Sequence, residues 1–179
     1  ALYQIENASI ALTVCAVLKD SGVKLDDRLT KEAVSKTHWA GRMEPVKENL
    51  YVDGAHNPQG IRSFVDSVNS LYESEELSDA TLLFSVVSDK NYEQMIKILC
   101  ECKHFKHIYV TMTGGARRLS SEIIKQTFEV YLPGISIEIS DSVDRVIHEW
   151  DNGLMFATGS LYLVGDVVRA LERKENNHD

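Results

Sequence analysis

Residues 50–58, with the sequence LYVDGAHNP, join a short apolar run to the beginning of a helix. The apolar residues 50–52 predict a strand. Gly54 permits a tight turn, Asn57 is a preferred N-cap, and Pro58 suits the first turn of a helix. The stretch therefore predicts a strand that passes directly into a helix.

Strands and helices alternate outward from this stretch, as they do in a parallel sheet with crossover helices. The helix after Pro58 carries apolar residues at helical spacing, and the continuous apolar run over 81–87 predicts a strand covered on both faces. Further strands are predicted over 43–46, 107–112, 135–139 and 154–158, and further helices over 92–102, after Ser120 as N-cap, and over 143–150 and 161–173. We therefore predict a three-layer, Rossmann-like α/β fold, with a mostly parallel sheet and helices on both faces.

A short helical segment precedes the predicted α/β part. Residues 2–19 predict a helix that is apolar nearly all round, and such a helix is normally buried on more than one side. With a second short helix over 29–36, we assign 1–37 to the helical end of a preceding domain and a linker, 38–174 to the α/β domain, and 175–179 to a polar tail. We expect a longer parent protein whose front lies before this chain; a processed terminus is the alternative.

The composition argues against several classes of protein. The chain has 179 residues, of which 44% are hydrophobic, so it can bury a core and is not intrinsically disordered. Its 19 basic and 27 acidic residues give a net charge of −8, which argues against a nucleic-acid surface and against docking on anionic lipid. The longest apolar stretch, 8–18, is too short to cross a bilayer, and three cysteines are too few for a disulfide scaffold. A cytoplasmic protein fits best.

Three predicted strand ends carry residues suited to ligand binding, since ligands of open parallel sheets sit beyond the carboxyl ends of the strands. Asp53 and His56 follow the first of these strands, where a carboxylate can accept hydrogen bonds from a ribose and a histidine beside a helix N-terminus can face phosphate. Lys90 follows another strand and can hold a carboxylate as a point charge. Ser160 follows the last strand. The alternatives are that Asp53 and Ser160 only cap helices and that Lys90 is a solvated loop lysine.

Two phosphate-binding signatures and a standard zinc motif are absent from the sequence. No glycine is followed by lysine, so there is no P-loop, and no Gly-x-Gly-x-x-Gly occurs. Cys100, Cys102, His104 and His107 fall within eight residues, but their spacing is not that of a zinc site, and Cys100 is expected to point into the core. We therefore predict no metal site in this chain.

Four motifs occur over most of the chain: Gln4-x-x-Asn7-Ala8, Trp39-x-Gly41-Arg42-Met43-Glu44, Asp53-Gly54-Ala55-His56-Asn57-Pro58-x-Gly60 and Gly159-Ser160-Leu161-Tyr162-Leu163-Val164-Gly165. In this order, the motifs resemble folylpolyglutamate synthase, the folate branch of the Mur ligase superfamily. The resemblance covers only the carboxyl-terminal part of that enzyme. It implies an α/β fold of the Mur ligase C-terminal domain type.

The resemblance implies an ATP-dependent ligase that adds L-glutamate to the γ-carboxylate of a folate. ATP first phosphorylates the carboxylate, and the glutamate amine then attacks the acyl phosphate, so positioning and charge neutralisation matter more than a protein nucleophile. The implied cofactors are ATP and Mg²⁺, held mainly by an amino-terminal ATPase domain. The other implied partners are folate and L-glutamate, and the implied enzyme is a monomer. The fragment alone is expected to be inactive.

The resemblance also assigns residues to a site that is completed when the two domains close. Those assigned to ATP are Asn7 for the adenine, Arg42 for ribose or phosphate, Asp53 for the ribose hydroxyls, and His56, the catalytic residue, for the phosphates. Lys90 and Ser160 are candidates for holding the carboxylates of the incoming glutamate. A lysine point charge and a hydroxyl beside a helix N-terminus suit a dianionic amino acid.

Other functions stay open beside this one. A Mur-type ligase acting on a cell-wall precursor is the alternative within the ligases, although the run from Ser160 to Gly165 favours the folate branch. A non-catalytic nucleotide-binding module is the alternative from another class. Whether the same enzyme also acts as a dihydrofolate synthase is likewise open.

Overall fold

The computed structural model of the protein describes residues 3–74, 76–113 and 115–176. By its internal contacts the chain divides into two compact units, Ala1–Ala40 and Gly41–Asp179.

The first unit contains two helices, α1 over Tyr3–Asp20 and α2 over Asp27–Lys36. Helix α1 confirms the predicted helix from Tyr3 onward, while Leu2 lies outside the described residues. Helix α2 begins earlier than predicted because the Asp26 side chain accepts a hydrogen bond from Leu29 N at 2.8 Å and so caps it. No helix in the described part of the chain has the length and apolar composition needed to span a membrane.

The second unit is built on a six-stranded sheet in the order β1-β2-β6-β3-β4-β5. The strands are β1 over Glu44–Lys47, β2 over Leu50–Val52, β3 over Ala80–Phe84, β4 over Phe105–Val110, β5 over Ser136–Ile139 and β6 over Met155–Thr158. β1 is antiparallel to β2, and every other neighbouring pair is parallel. The last strand of the chain, β6, therefore lies between β2 and β3.

Helices cover both faces of this sheet. They are α3 over Pro58–Ser74, α4 over Tyr92–Leu99, α5 over Ser121–Tyr131, α6 over Val143–Glu149 and α7 over Leu161–Asn176. Phe64 of α3 packs against Phe156 of β6, whereas the next residue, Ala157, shares a core cluster with Val146 of α6 and Val167 of α7. Since successive side chains of a strand point to opposite faces, α3 and the α6–α7 pair cover opposite faces. This arrangement confirms the predicted three-layer α/β fold.

Two helices begin where the sequence predicts, because their signals are local. The Asn57 side chain accepts a hydrogen bond from Gly60 N at 2.8 Å, and α3 begins with Pro58. The Ser120 hydroxyl accepts from Glu122 N at 3.2 Å at the start of α5. Both contacts satisfy amide groups that have no partner within the first turn.

Several element bounds differ from those predicted: α4 ends at Leu99 instead of residue 102, and β4 spans Phe105–Val110 instead of 107–112. The strand expected over 81–87 ends at Phe84, and residues 85–87 stay buried in the loop that follows, so an apolar run alone does not locate the end of a strand. Helix α7 continues to Asn176, past the predicted end. Lys174 stabilises its last turn by donating from Nζ to two backbone carbonyl oxygens at the end of α6, at 2.8 and 3.3 Å.

Candidate functional site

The carboxyl ends of β2, β6 and β3 form one continuous edge, because β6 lies between β2 and β3 and pairs with both in parallel. Asp53 N donates to Ala157 O at 2.9 Å, Gly159 N to Ala55 O at 3.0 Å, and Ser85 N to the last residue of β6 at 3.4 Å. The loops that follow these strands are therefore held side by side. In open parallel sheets, ligands bind at such an edge, where the strand order reverses.

Asp53 is the buried centre of this edge, with only 1% of its surface exposed. Its Oδ1 accepts a hydrogen bond from Ala55 N at 2.8 Å, and its Oδ2 accepts one from Met43 N at 2.9 Å. Hydrogen bonds to a charged acceptor are stronger than those between neutral groups. The carboxylate therefore fixes the backbone immediately before His56 and immediately after Arg42.

The loop that carries Arg42 has an unusual backbone. Gly41 has φ +70° and Met43 has φ +46°, a left-handed conformation that residues other than glycine seldom adopt. Gly41 O accepts from Gly54 N at 2.7 Å, and Gly41 N donates to the Glu44 carboxylate at 2.6 Å. The half-buried Arg42 side chain forms no hydrogen bond or ion pair with any residue that the structure describes, so its guanidinium is available to a ligand.

His56 is oriented by its own loop. Its Nδ1 lies 2.8 Å from Gly54 O. Because a carbonyl oxygen only accepts, Nδ1 carries the proton and Nε2 is the acceptor of the neutral ring. When the ring is protonated, Nε2 becomes a donor that can bind a phosphate oxygen. The half-buried ring thus offers one defined atom to a ligand.

Gly159 allows the end of β6 to approach β3 closely. It has φ +107°, and a Cβ atom there would lie 2.5 Å from Phe84 Cε2 and closer still to Ser85 O. Neither the Ser85 backbone nor the buried Phe84 ring can move far enough to relieve such a contact, because the interior is closely packed. Only glycine therefore fits at this point.

Ser160 and Lys90 lie on the two loops that meet beside Gly159. The Ser160 hydroxyl is buried and accepts from Tyr162 N at 3.2 Å, so it caps α7, as the simpler alternative for this residue predicts. Lys90 is half-buried in the loop after β3, and its ammonium group pairs with no residue in the described ranges. The binding roles of both stay predictions.

Asn7 belongs to the first unit. It lies on α1, where its side-chain amide donates to Gln4 Oε1 at 2.8 Å. Its proposed contact with adenine stays a prediction.

Arg117 is a residue of this edge that the sequence interpretation missed. Its guanidinium donates to Asp89 Oδ2 and to the Tyr162 hydroxyl, both at 3.1 Å. Its carbonyl oxygen accepts from Ser88 N at 2.7 Å and from Ser88 Oγ at 3.0 Å. The sequence offers one signal for Arg117, which is its position soon after β4. Its contacts could not be found from the sequence, because its partners lie 28 and 45 residues away along the chain.

The four cysteines and histidines over 100–107 point in different directions. Cys102 is buried, and Cys100, expected in the core, is only half-buried. The His104 ring stacks on Tyr72 at 3.6 Å between ring centroids, and the His107 ring packs on a neighbouring tyrosine. Within residues 3–74, 76–113 and 115–176, no three His, Cys, Asp or Glu side chains are placed to hold a metal ion.

We expect the thiol of Cys15 to react with iodoacetamide at pH 8 before those of Cys100 and Cys102. Burial raises the pKa of Cys100 to about 12 and also raises the pKa of Cys102, and the thiolate is the reactive form. Cys15 lies on α1, which has no buried residue. Peptide mass spectrometry over time should show modification of Cys15 about ten times faster than that of the other two. In denaturant the three rates should converge, and native Cys100 reacting as fast as Cys15 would contradict the expectation.

Comparison with known families decides the classification. A sequence model of the family described as "Mur ligase, glutamate ligase domain" matches residues 41–164, more than half of the chain. The chain belongs to this family. The part of this Mur ligase chain that is matched contains five of the predicted site residues: Arg42, Asp53, His56, Lys90 and Ser160.

Relatives of this Mur ligase chain are longer proteins. It is 27% identical over 180 residues to the dihydrofolate synthase/folylpolyglutamate synthase of Bacillus subtilis (strain 168), covering 95% of this chain and 39% of that protein. The structure of folylpolyglutamate synthase from Thermotoga maritima matches with a TM-score of 0.74 and 26% identity, over 96% of this chain and 39% of that one. A bifunctional folylpolyglutamate synthase/dihydrofolate synthase from Yersinia pestis, complexed with AMPPNP and Mn ion, shares the fold with a TM-score of 0.70 at 23% identity, over 89% of this chain and 38% of that one.

Proposed function

We propose that this chain is the carboxyl-terminal part of an ATP-dependent ligase that adds L-glutamate to the γ-carboxylate of a folate. The observation that carries the proposal is the Asp53 carboxylate, which accepts hydrogen bonds from Met43 N and Ala55 N and so fixes the backbone next to Arg42 and His56 at the sheet edge of a glutamate ligase domain. The named relatives support the folate as acceptor. The chain covers 39% of their length, which supports a further domain in the complete enzyme.

In the proposed reaction, ATP phosphorylates the folate γ-carboxylate, and the amine of glutamate displaces the phosphate through a tetrahedral intermediate. Such chemistry depends on positioned charges. Arg42 neutralises phosphate or contacts the ribose, and His56 Nε2 faces the phosphates. Mg²⁺ supplies further neutralisation and is held mainly by an amino-terminal ATPase domain. The Yersinia pestis relative, complexed with AMPPNP and Mn ion, supports the pairing of nucleotide and divalent metal.

The remaining site residues keep their proposed roles. Asn7 contacts the adenine, and Lys90 and Ser160 hold the carboxylates of glutamate. Asp53 is assigned to the ribose hydroxyls. Because its carboxylate is almost fully buried, that contact requires the loop carrying Met43 to move. In the conformation described, the carboxylate positions its neighbours instead.

We also propose that the ATPase domain of the same polypeptide covers α1. This helix exposes Ile5, Ile10, Val14 and Val17, each by more than half of its surface. Apolar side chains repeated along a helix in this way are normally buried by a partner. The complete enzyme is proposed to be a cytoplasmic monomer.

The test of this function uses the complete gene product that contains the chain, with ATP, Mg²⁺, labelled L-glutamate and tetrahydrofolate. We expect transfer of label to the folate, reduced about 100-fold in His56→Ala because the one ring atom that the loop orients towards the phosphates is lost. His148→Ala is the matched control, since His148 is exposed on α6 and should leave the rate unchanged.

Three results would overturn the proposal. Transfer to folate that is indifferent to His56→Ala would remove the site from the reaction. No transfer to folate, with transfer to a cell-wall precursor instead, would assign the chain to another Mur-type ligase. ATP binding without any transfer would favour the non-catalytic module.

A further inference from the structure

Two segments that follow strands and the first turn of a helix are joined at the sheet edge through one guanidinium group. Arg117, from the segment after β4, donates from Nη1 to Asp89 in the loop after β3 and from Nη2 to the hydroxyl of Tyr162 in the first turn of α7. Its Cζ atom also lies 5.9 Å from the centroid of the Tyr162 ring. We call Asp89, Arg117 and Tyr162 the Arg117 clasp.

The clasp orients the guanidinium without covering it. The Arg117 side chain is 52% exposed and Asp89 is 49% exposed, and Tyr162 is 49% exposed. A guanidinium has five N–H donors, and the two partners leave donors available in a fixed plane. The group is therefore held in one orientation and stays accessible to a ligand.

Hydrogen bonds link the clasp to the segments that carry the two residues already assigned to glutamate. Ser88 binds Arg117 O through both its amide and its hydroxyl, so the loop that carries Lys90 is fastened to Arg117. On the other side, Tyr162 N donates to the Ser160 hydroxyl. Arg117 thus connects the segments of Lys90 and Ser160.

We propose that Arg117 binds one carboxylate of the incoming amino acid and selects a dicarboxylic substrate; the inference rests on the function proposed above. A guanidinium can bind a carboxylate through two parallel hydrogen bonds, which a lysine cannot do. Arg117, Lys90 and Asp89 together carry one net positive charge. Glutamate, with two carboxylates and an ammonium group, carries one net negative charge. Two cations on adjacent loops therefore match its two carboxylates, one each.

The test measures steady-state kinetics of the complete gene product, with L-glutamate or ATP varied in turn and the other substrates, including tetrahydrofolate, saturating. We expect Arg117→Ala to raise KM for L-glutamate by about 10- to 100-fold, the usual effect of losing a charge-assisted pair. KM for ATP should change less than about twofold, because Arg117 is assigned no ATP contact. Arg117→Lys should recover only part of the loss, since it restores the charge without the planar fork.

Arg118→Ala is the matched control. Arg118 is the next residue, is exposed, and its side chain has no partner among the described residues. Its KM for L-glutamate should equal that of the wild type. Thermal unfolding of each variant shows whether Arg117→Ala is folded; Tyr162→Phe, which removes only one hydroxyl, gives a second variant with a smaller rise in KM.

Substrate analogues identify the carboxylate that Arg117 binds. L-glutamine lacks the γ-carboxylate and L-glutamic acid α-amide lacks the α-carboxylate. The wild type should prefer L-glutamate over both, and Arg117→Ala should lose its preference against one of them. Preference retained against both, or equal effects of Arg117→Ala and Arg118→Ala, would overturn the inference.

Direct binding separates this inference from the proposed function. Calorimetric titration of the complete gene product, loaded with AMPPNP and Mg²⁺, with L-glutamate requires no folate. Binding that is lost in Arg117→Ala supports the inference even if no folate is modified, in which case only the folate assignment fails. Binding that is unchanged in Arg117→Ala overturns the inference even if folate is glutamylated. Absence of glutamate binding by the wild type overturns it as well.

Discussion

Gly159→Ala is expected to lower the free energy of unfolding by about 4 kcal/mol, a large effect for a single methyl group. The positive φ of +107° contributes part of this cost, because an alanine side chain is strained there. The rest comes from contact of the new methyl group with Phe84 and the Ser85 carbonyl, both fully buried at the carboxyl end of β3. Urea unfolding of the 179-residue chain, followed by circular dichroism, measures the change.

Gly134→Ala separates the two causes. Gly134 has φ +93°, close to that of Gly159, but a Cβ atom there would meet no heavy atom within 4 Å. This variant should therefore lose only about 1 kcal/mol, the cost of the backbone conformation. Equal losses of unfolding free energy in the two variants would show that the close approach of Gly159 to β3 contributes nothing to the cost of the Gly159→Ala substitution.

Asp53→Asn is expected to reduce the ligase rate of the complete gene product by about 1,000-fold, because two positioned groups, Arg42 and His56, are released together. The amide keeps the shape of the carboxylate but places an N–H₂ group opposite one of the two backbone amides that the carboxylate binds. The chain should also lose about 2 kcal/mol of stability, the cost of a buried donor without an acceptor. Glutamate transfer and urea unfolding measure the two effects.

Asp151→Asn is the matched control for this substitution. Asp151 Oδ1 also accepts a backbone amide, from Gly153 N at 2.9 Å, but in an exposed turn. Water can satisfy the groups there, so both rate and stability should change little. A rate for Asp53→Asn within tenfold of the wild type would show that the Asp53 carboxylate does not organise the site.

The sequence was sufficient for features with local causes. The start of α3 was predictable because Asn57 and Pro58 act within one turn, and the Gly54 turn follows from a single residue type. The strand–helix alternation was enough to predict the three-layer fold. It also placed the predicted residues Asp53 and Ser160 at strand ends that the structure brings to one edge.

Features that depend on distant partners could not be read from the sequence. The apolar run over 81–87 has the same composition inside and beyond the strand, so the end of β3 at Phe84 was not predictable. The place of β6 in the sheet depends on pairing with two strands far away in the chain. The Arg117 contacts join residues of two loop segments and of helix α7, and no local pattern marks an arginine that will contact Tyr162, 45 residues away.

The central place of β6 has a consequence for how the chain folds during synthesis. Strands β2 and β3 are made early, yet the neighbour that joins them, Met155–Thr158, leaves the ribosome after almost the whole domain. Until then the facing edges of β2 and β3 carry unpaired backbone groups, which favour aggregation of nascent chains. Because such pairing closes long loops, completion of the sheet should be a slow and late event, and the nascent domain a natural client for chaperones.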